Sequence, residues 1–412
     1  MEYRVYDAGR DQAAVHRIWR EVGWIEPGDK KQGHGLDIFI SCGRALVADV
    51  AGEAECMVST APGDLRYLDE DLPFSCVTAV TTGHVARKRG LAGRLTAEAV
   101  AADAAAGALV SGLGMFEQGY YDRLGFGSGG YGHWLYFDPA HLTVDLEPAL
   151  PRRITVDDWE EVHANRLQRV RAHGSCNLTP PEFTRAEMIW SKNGFGLGYE
   201  SGDGGELGHH VWLSAESGEA GPYYVQWLAY RDARQFLELM ALIKSLGDQV
   251  RLVKIIEPPG IQLQDLLHRP FQLRNATRKS KFENTMRALA YWQMRILDLP
   301  ACLARTKLPG DELRFNLVLS DPIADLLPAE APWRGVAGDY VVTLGPSSGA
   351  EGGLEPSLPT LTASVNAFTR MWLGVRPATG LAVTDDLAGP RSLLEALDAL
   401  LRLPDPKPDW DF

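Results

Sequence analysis

The chain has 412 residues, 45% of them hydrophobic and 23% charged, a globular composition with enough apolar residues for more than one core. Lysine and arginine number 41 against 54 aspartates and glutamates, and a net charge of -13 disfavours a general nucleic-acid binder, whose footprint is basic. The five cysteines, Cys42, Cys56, Cys76, Cys176 and Cys302, form no CxxC pair, so neither a disulfide framework nor a zinc ribbon is indicated and a reducing cytoplasm fits.

The chain opens with strand-like Tyr3-Arg4-Val5-Tyr6, a helical stretch from Asp11 to Val22 and an apolar strand from Arg44 to Val50. Met1–Arg4 lacks the basic-then-apolar pattern of a secretion signal. The alanine-rich stretch 97–110 is interrupted by Glu98 and Asp103, so no membrane span is expected.

Phe74 to Thr82 reads as a strand, Arg87-Lys88-Arg89-Gly90 as a turn, Leu91 to Ala106 as a helix closed by Gly107, and Ala108 to Met115 as a returning strand. The pattern recurs at Tyr223 to Tyr230, Asp232 to Leu246 and Gln249 to Ile256, as an internal duplication would give. Its turn, Arg231-Asp232-Ala233-Arg234, has no glycine. Boundaries are expected near Pro148–Pro151 and near residue 290. Beyond them come strands at Leu313 to Leu319 and Tyr340 to Leu344, a loop from Gly345 to Pro359, and helices at Thr362 to Leu373 and Arg391 to Leu401. Proline spacing makes Pro404 to Pro408 an extended tail leading to Asp409-Trp410-Asp411-Phe412.

The segment Arg87-x-x-Gly90-x-Ala92-Gly93, between a strand and a helix, suits a pyrophosphate. Its backbone N–H groups and the positive end of the helix dipole favour an anion, and glycine allows close approach. An ordinary basic turn is the plainer reading of the same residues. The GxGxxG at Gly125 to Gly130 runs into a strand-like Tyr131 to Phe137 where a dinucleotide fingerprint needs a helix, so it reads as a turn. The GxSxG around Ser347 opens a Gly/Pro loop, which a nucleophile elbow cannot do. His209-His210 has no carboxylate or histidine at metal-ligand spacing, and no metal is expected.

Taken together, Val77-Thr78-Ala79-Val80, Arg87-Lys88-Arg89-Gly90-Leu91-Ala92 and Tyr121-Asp122-Arg123-Leu124-Gly125-Phe126-Gly127 resemble the GNAT-family N-acetyltransferases, and among them the Eis-like (enhanced intracellular survival) group. The likeness extends over essentially the whole chain, through Arg295-Ile296-Leu297-Asp298 and the ending Trp410-Asp411-Phe412. It implies an α/β (α+β) fold: a GNAT domain over residues 1–148, a second, degenerate GNAT domain over 149–290, and a sterol-carrier-protein-like domain over 291–412. It implies acetyl-CoA as cosubstrate, lying against Val80, Thr81 and Thr82, with its pyrophosphate on Arg87, Lys88, Arg89, Gly90, Leu91, Ala92 and Gly93. Lys88 stands where the group often has an arginine, which keeps the charge and loses a bidentate fork.

By the same resemblance Tyr121 is the general acid toward the CoA thiolate, and the α-carboxylate of Phe412 is the base or electrostatic partner of the acceptor amine. Asp411 would attract a cationic acceptor. Trp24 and Glu26, with Asp29 and Asp37, would line the acceptor pocket from the loop between Gly23 and Leu36. The implied acceptor is a small-molecule or peptide amine (aminoglycoside-like, polyamine or lysine), and the implied assembly a homohexamer. A non-catalytic CoA- or lipid-binding protein, using the carrier-like third domain, is the competing expectation.

Overall fold

The computed structural model describes residues 1–202, 205–270 and 278–410. In chain order come β1 (Glu2–Val5), α1 (Ala8–Glu21), α2 (Lys30–Ser41), β2 (Arg44–Val50), β3 (Glu53–Tyr67), β4 (Glu70–Thr82), α3 (Leu91–Ala105), β5 (Val110–Gly114) and β6 (Gly127–Ser128). Next are β7 (Gly132–Phe137), β8 (Arg152–Ile154), α4 (Trp159–Leu167), β9 (Cys176–Leu178), α5 (Pro181–Trp190), β10 (Phe195–Ser201) and β11 (Glu206–Ala215). They are followed by β12 (Tyr223–Ala229), α6 (Ala233–Ser245), β13 (Val253–Ile256), β14 (Thr285–Leu289) and β15 (Trp292–Ile296). The last part holds α7 (Leu299–Ala304), β16 (Leu313–Ser320), β17 (Gly338–Leu344), β18 (Gly349–Gly352), β19 (Thr360–Ser364), α8 (Val365–Trp372), α9 (Ala378–Thr384), β20 (Leu387–Ala388) and α10 (Arg391–Leu400).

These strands form three mixed sheets among the described residues. The first runs β1-β2-β3-β4-β5-β15-β6 with β9 beside β3, the second β14-β7-β13-β12-β11-β10-β8, and the third β18-β17-β16-β19-β20. Sheet membership crosses residues 148 and 290. β7 lies in the second sheet between β13 and β14, while β15 returns to the first sheet between β5 and β6. The chain thus passes from the first sheet into the second between β6 and β7 and back again between β14 and β15, so two short connections join the sheets covalently.

Both β-turn-α-β units expected from the sequence are present, with parallel pairing of β4 with β5 and of β12 with β13. The helix α3 is alanine-rich because it is wedged against the sheet: Ala97, Ala99, Val100 and Ala101 are all buried. Its N-terminus differs from that of α6. Gly90 leads into α3 at φ 77° with no side chain capping the helix, whereas the Asp232 carboxylate caps α6 by accepting from Gln235 N.

Four expectations change in detail. Helix α1 begins at Ala8 because the Asp7 side chain caps it, and half of the expected Gly23–Leu36 loop is helix α2, capped by Asp29. The expected loop from Gly345 to Pro359 contains β18, a hairpin partner of β17. Ser347 lies in the turn of that hairpin, where no helix follows, so the structural context of a nucleophile elbow is missing. The stretch from Thr362 divides into β19, parallel to β16, and α8, because the Ser364 hydroxyl caps the helix at Ala367 N. No helix among the described residues is long and apolar enough to cross a membrane.

Candidate active site

β4 and β5 are joined only from Phe74↔Val110 to Val77↔Leu113; beyond these pairs Thr78–Thr82 bond to β3 alone. The parting is set by a bulge, since Thr78 pairs with Ser59 and Thr81 with Met57, which leaves Ala79 and Val80 against Val58. Ala79 sits at φ 53°, a left-handed conformation that turns the strand locally. Val80, Thr81 and Thr82, the residues expected to face the cosubstrate, therefore lie on the diverging part of the strand with one edge unpaired.

The diverging strand leads into a short 3-10 turn (His84–Ala86) and then the loop that opens α3. Arg87, Lys88 and Arg89 are exposed, and none forms an ion pair with a described residue. Lys88 and Gly90 both have positive φ, and the first helical N–H bond is that of Arg94 to the Gly90 carbonyl at 3.2 Å. The amides of Leu91, Ala92 and Gly93 thus have no helical or side-chain acceptor. Orphan donors, a helix dipole and three unpaired cations meet at one place, which is the requirement for holding a diphosphate.

Sequence reasoning missed Arg123. Its guanidinium lies over the Tyr120 ring, 4.5 Å from the centroid, and a Cβ built on Gly93 would stand 3.5 Å from Nη2. A fourth cation therefore flanks the first turn of α3, brought there by the chain that follows β5. The signal lay in Tyr121-Asp122-Arg123 itself, where a basic residue follows the tyrosine by two positions.

Tyr121 is 6% exposed and packs edge-on against Tyr120, in the same apolar cluster as Val77, Leu91 and Leu113. Burial raises its phenol well above the ordinary value, so the hydroxyl keeps its proton at neutral pH. That hydroxyl has no hydrogen-bond partner among the described residues. A protonated phenol with a free hydroxyl, on the turn after β5, is chemically able to donate a proton.

The Tyr121 turn is braced from the last part of the chain. Asn366 Nδ2 donates to the carbonyls of Asp122 (2.8 Å) and Phe126 (2.9 Å), and Gln293 Nε2 donates to Asp122 Oδ1 at 2.7 Å. Arg295 donates to the Leu124 carbonyl and is held by Asp321 at 2.5 Å, both side chains fully buried. Gly125, at φ 82°, and Gly127 are required by this approach, for a Cβ would stand 2.6 Å from Arg295 Nη1 at the first and 2.4 Å from the Asn366 carbonyl at the second. The glycine-rich segment serves close packing, in keeping with its reading as a turn.

The acceptor-side residues fall into two groups. Trp24 stands edge-on to Trp19 at 4.9 Å, beside a buried aromatic group that includes Phe39 and Trp190. Glu26 is exposed nearby. The other two carboxylates have structural partners: Asp29 caps α2, and Asp37 bonds His16 Nε2 at 2.7 Å. Asp411 and Phe412 lie outside the described residues.

The tail leading to them is firmly seated, which the sequence did not disclose. Tyr291 donates to the Pro408 carbonyl at 3.0 Å, and Lys407 N to the His173 carbonyl at 3.1 Å. Arg169 donates twice to the Asp409 carboxylate, which also accepts from Ser175 Oγ at 2.5 Å. Trp410, 1% exposed, donates to Glu187 Oε1 at 2.9 Å and lies against the Arg166 guanidinium, 3.6 Å from its ring centroid. Tyr291 in turn accepts from Met115 N at 2.6 Å, just past β5, so the tail is fixed beside the end of the parted strands.

No protein-family model and no curated protein sequence matches this chain. Solved structures do. A probable N-acyltransferase from Enterococcus faecalis, a conserved protein of unknown function, superposes with a TM-score of 0.78 at 17% identity, covering 100% of this chain and 99% of that one. A GCN5-related N-acetyltransferase from Anabaena variabilis does so at 0.78 and 14% identity over the whole of both chains. Eis1 from Mycobacterium abscessus gives 0.73 at 17% identity, again over both whole chains. The chain thus has the fold of GCN5-related N-acetyltransferases, Eis1 among them.

Proposed function

We propose that this protein is an acetyl-CoA-dependent N-acetyltransferase acting on primary amines of a cationic acceptor. The observation that carries the reading is the continuity between the parted β4/β5 edge, the uncapped start of α3 with its free cations, and the buried Tyr121 on the turn after β5. The names of the structural neighbours add support. In this reading the pantetheine arm pairs with the open edge at Val80 to Thr82, and the diphosphate rests on the amides of Leu91 to Gly93, flanked by Arg87, Lys88, Arg89 and Arg123.

The neutral amine attacks the thioester carbonyl directly. A C–N bond forms as the C–S bond breaks, an amide of the Val80 region stabilises the oxyanion, Tyr121 gives its proton to the departing thiolate, and the amine proton passes to the α-carboxylate of Phe412. Trp24, Glu26 and Asp411 recognise the acceptor, of aminoglycoside-like, polyamine or lysine type. The reading includes tandem GNAT units, the second degenerate, a sterol-carrier-like third unit and a homohexamer.

The deciding experiment follows CoA thiol release from acetyl-CoA, using untagged protein, across aminoglycosides, polyamines and lysine peptides. Amine-dependent release is expected. Tight acetyl-CoA binding with no release for any amine would instead favour a non-catalytic CoA-binding protein.

A further inference from the structure

We propose that the opening between β12 and β13 in the second sheet is a binding site for a small organic anion with a flat aromatic body, separate from the opening between β4 and β5. β12 and β13 are paired in parallel only at Tyr223↔Val253 and Tyr224↔Lys254; past these, Val225–Ala229 bond to β11 alone. The strands part as β4 and β5 do, and a cavity of about 290 Å³ lies between them, near the lower end of the size range of small-molecule sites.

The entrance differs from that of the first opening, and the difference restricts the ligand. Asp232 places a carboxylate on the start of α6, accepting from Gln235 N at 2.9 Å, and Gln235 Oε1 accepts from Arg231 N at 2.8 Å. One of the helix-start donors that would hold a diphosphate, Gln235 N, is thus engaged, and the carboxylate beside it repels a diphosphate. The occupant is smaller than a CoA-type nucleotide.

Its shape and charge follow from the walls. Trp134, Tyr224, Trp227, Tyr291 and Trp410 line the cavity, and aromatic walls favour a planar body. The lining charges are largely matched: Arg169 is bound by Asp409, and Lys407 faces Glu257 at 3.7 Å, which also meets His133 at 3.2 Å. Lys254 is the exception. Among the described residues it has no carboxylate in ion-pair reach, and its ammonium stands 5.6 Å and 5.7 Å from the ring centres of Tyr224 and Tyr136. A half-buried unpaired cation where the strands diverge selects one anionic group. Pro408 and Trp410 form one wall, so the occupant also touches the seated tail.

The site does not depend on the acetyltransferase reading, and its test needs no turnover. Full-length protein is titrated calorimetrically with 2-naphthoate and with neutral 2-naphthamide, each with and without saturating CoA. Saturable 1:1 binding of the carboxylate is expected, about tenfold weaker for the amide and about tenfold weaker in Lys254→Gln, and unchanged by CoA. Leu228→Trp, which fills the cavity from β12, should abolish it while leaving CoA binding intact. No saturable binding, equal affinity for the amide, indifference to both variants, or displacement by CoA would each overturn the proposal.

Discussion

The Arg169 guanidinium holds the Asp409 carboxylate through two parallel bonds, Nε to Oδ2 at 2.8 Å and Nη2 to Oδ1 at 2.7 Å, across 240 residues of chain. Arg169 lies just after α4 and Asp409 in the tail, so the pair seats the tail against the loop that follows that helix. Asp409→Ala leaves Arg169 buried without its carboxylate, so stability should fall by about 3 kcal/mol, read from urea unfolding. If the terminus is the base, turnover at saturating substrates should fall further than acetyl-CoA affinity; equal losses would assign the pair a purely structural role.

Adding a single glycine after Phe412 moves the terminal carboxylate without touching the clamp at Asp409 and Trp410. Turnover should drop about 100-fold with acetyl-CoA affinity unchanged, as for loss of a general base. Unaltered steady-state kinetics would remove Phe412 from the mechanism.

Tyr121→Phe deletes a hydroxyl that bonds to no described residue, so the melting temperature should stay close to that of the parent protein. The turnover number, by contrast, should fall about 100-fold, the contribution of a general acid, with little change in KM for acetyl-CoA. A large melting shift with normal turnover would make Tyr121 a packing residue only.

Gly90 has open space around it but a φ of 77°, so Gly90→Ala should cost about 1 kcal/mol of strain and leave acetyl-CoA binding nearly intact. Gly90→Glu carries the same strain and adds an anion at the helix start, and should weaken binding about tenfold or more by calorimetry. Equal affinities of the two variants would move the diphosphate elsewhere.

Two buried histidines, His163 on α4 and His210 on β11, make the fold acid-sensitive. Trp227 Nε1 donates to His210 Nε2 at 3.0 Å, leaving Nδ1 to donate to Asn165 at 2.7 Å, and burial lowers His210 from its ordinary 6.5 to about 3. His163, donating to the Thr179 carbonyl, is lowered to about 4 by burial and by Arg166. Unfolding frees both to take up protons below pH 6.5. Stability is therefore complete above that pH and falls by about 1.4 kcal/mol per unit for each histidine as pH drops toward 4. His210→Gln should flatten the slope of unfolding free energy between pH 6.5 and 4; an unchanged slope would assign the proton uptake elsewhere.

Much of this was legible in the sequence because it is local. The turn at Gly90, the helix from Leu91 and the strands on either side follow from hydrophobic period and glycine placement, as do β12, α6 and β13. The lack of a glycine in Arg231-Asp232-Ala233-Arg234 already set the second turn apart from the first. Where a cap or a pairing partner intervened, the local reading slipped: Thr362 to Ser364 read as the start of a helix, and pairing with β16 and β20 makes them strand.

What the sequence determined by itself is the two β-turn-α-β units and the glycine turn with its cations that opens α3, since these depend on neighbours a few residues apart. The tertiary structure alone decided where the bridging strands β7 and β15 pair, that Arg295, Asn366 and Gln293 brace the Tyr121 turn, and that Arg169, Arg166 and Glu187 receive the tail. Those relations join residues hundreds of positions apart, and a buried ion pair or a cross-sheet hydrogen bond has no periodicity to read; its partners are fixed only once the sheets have packed.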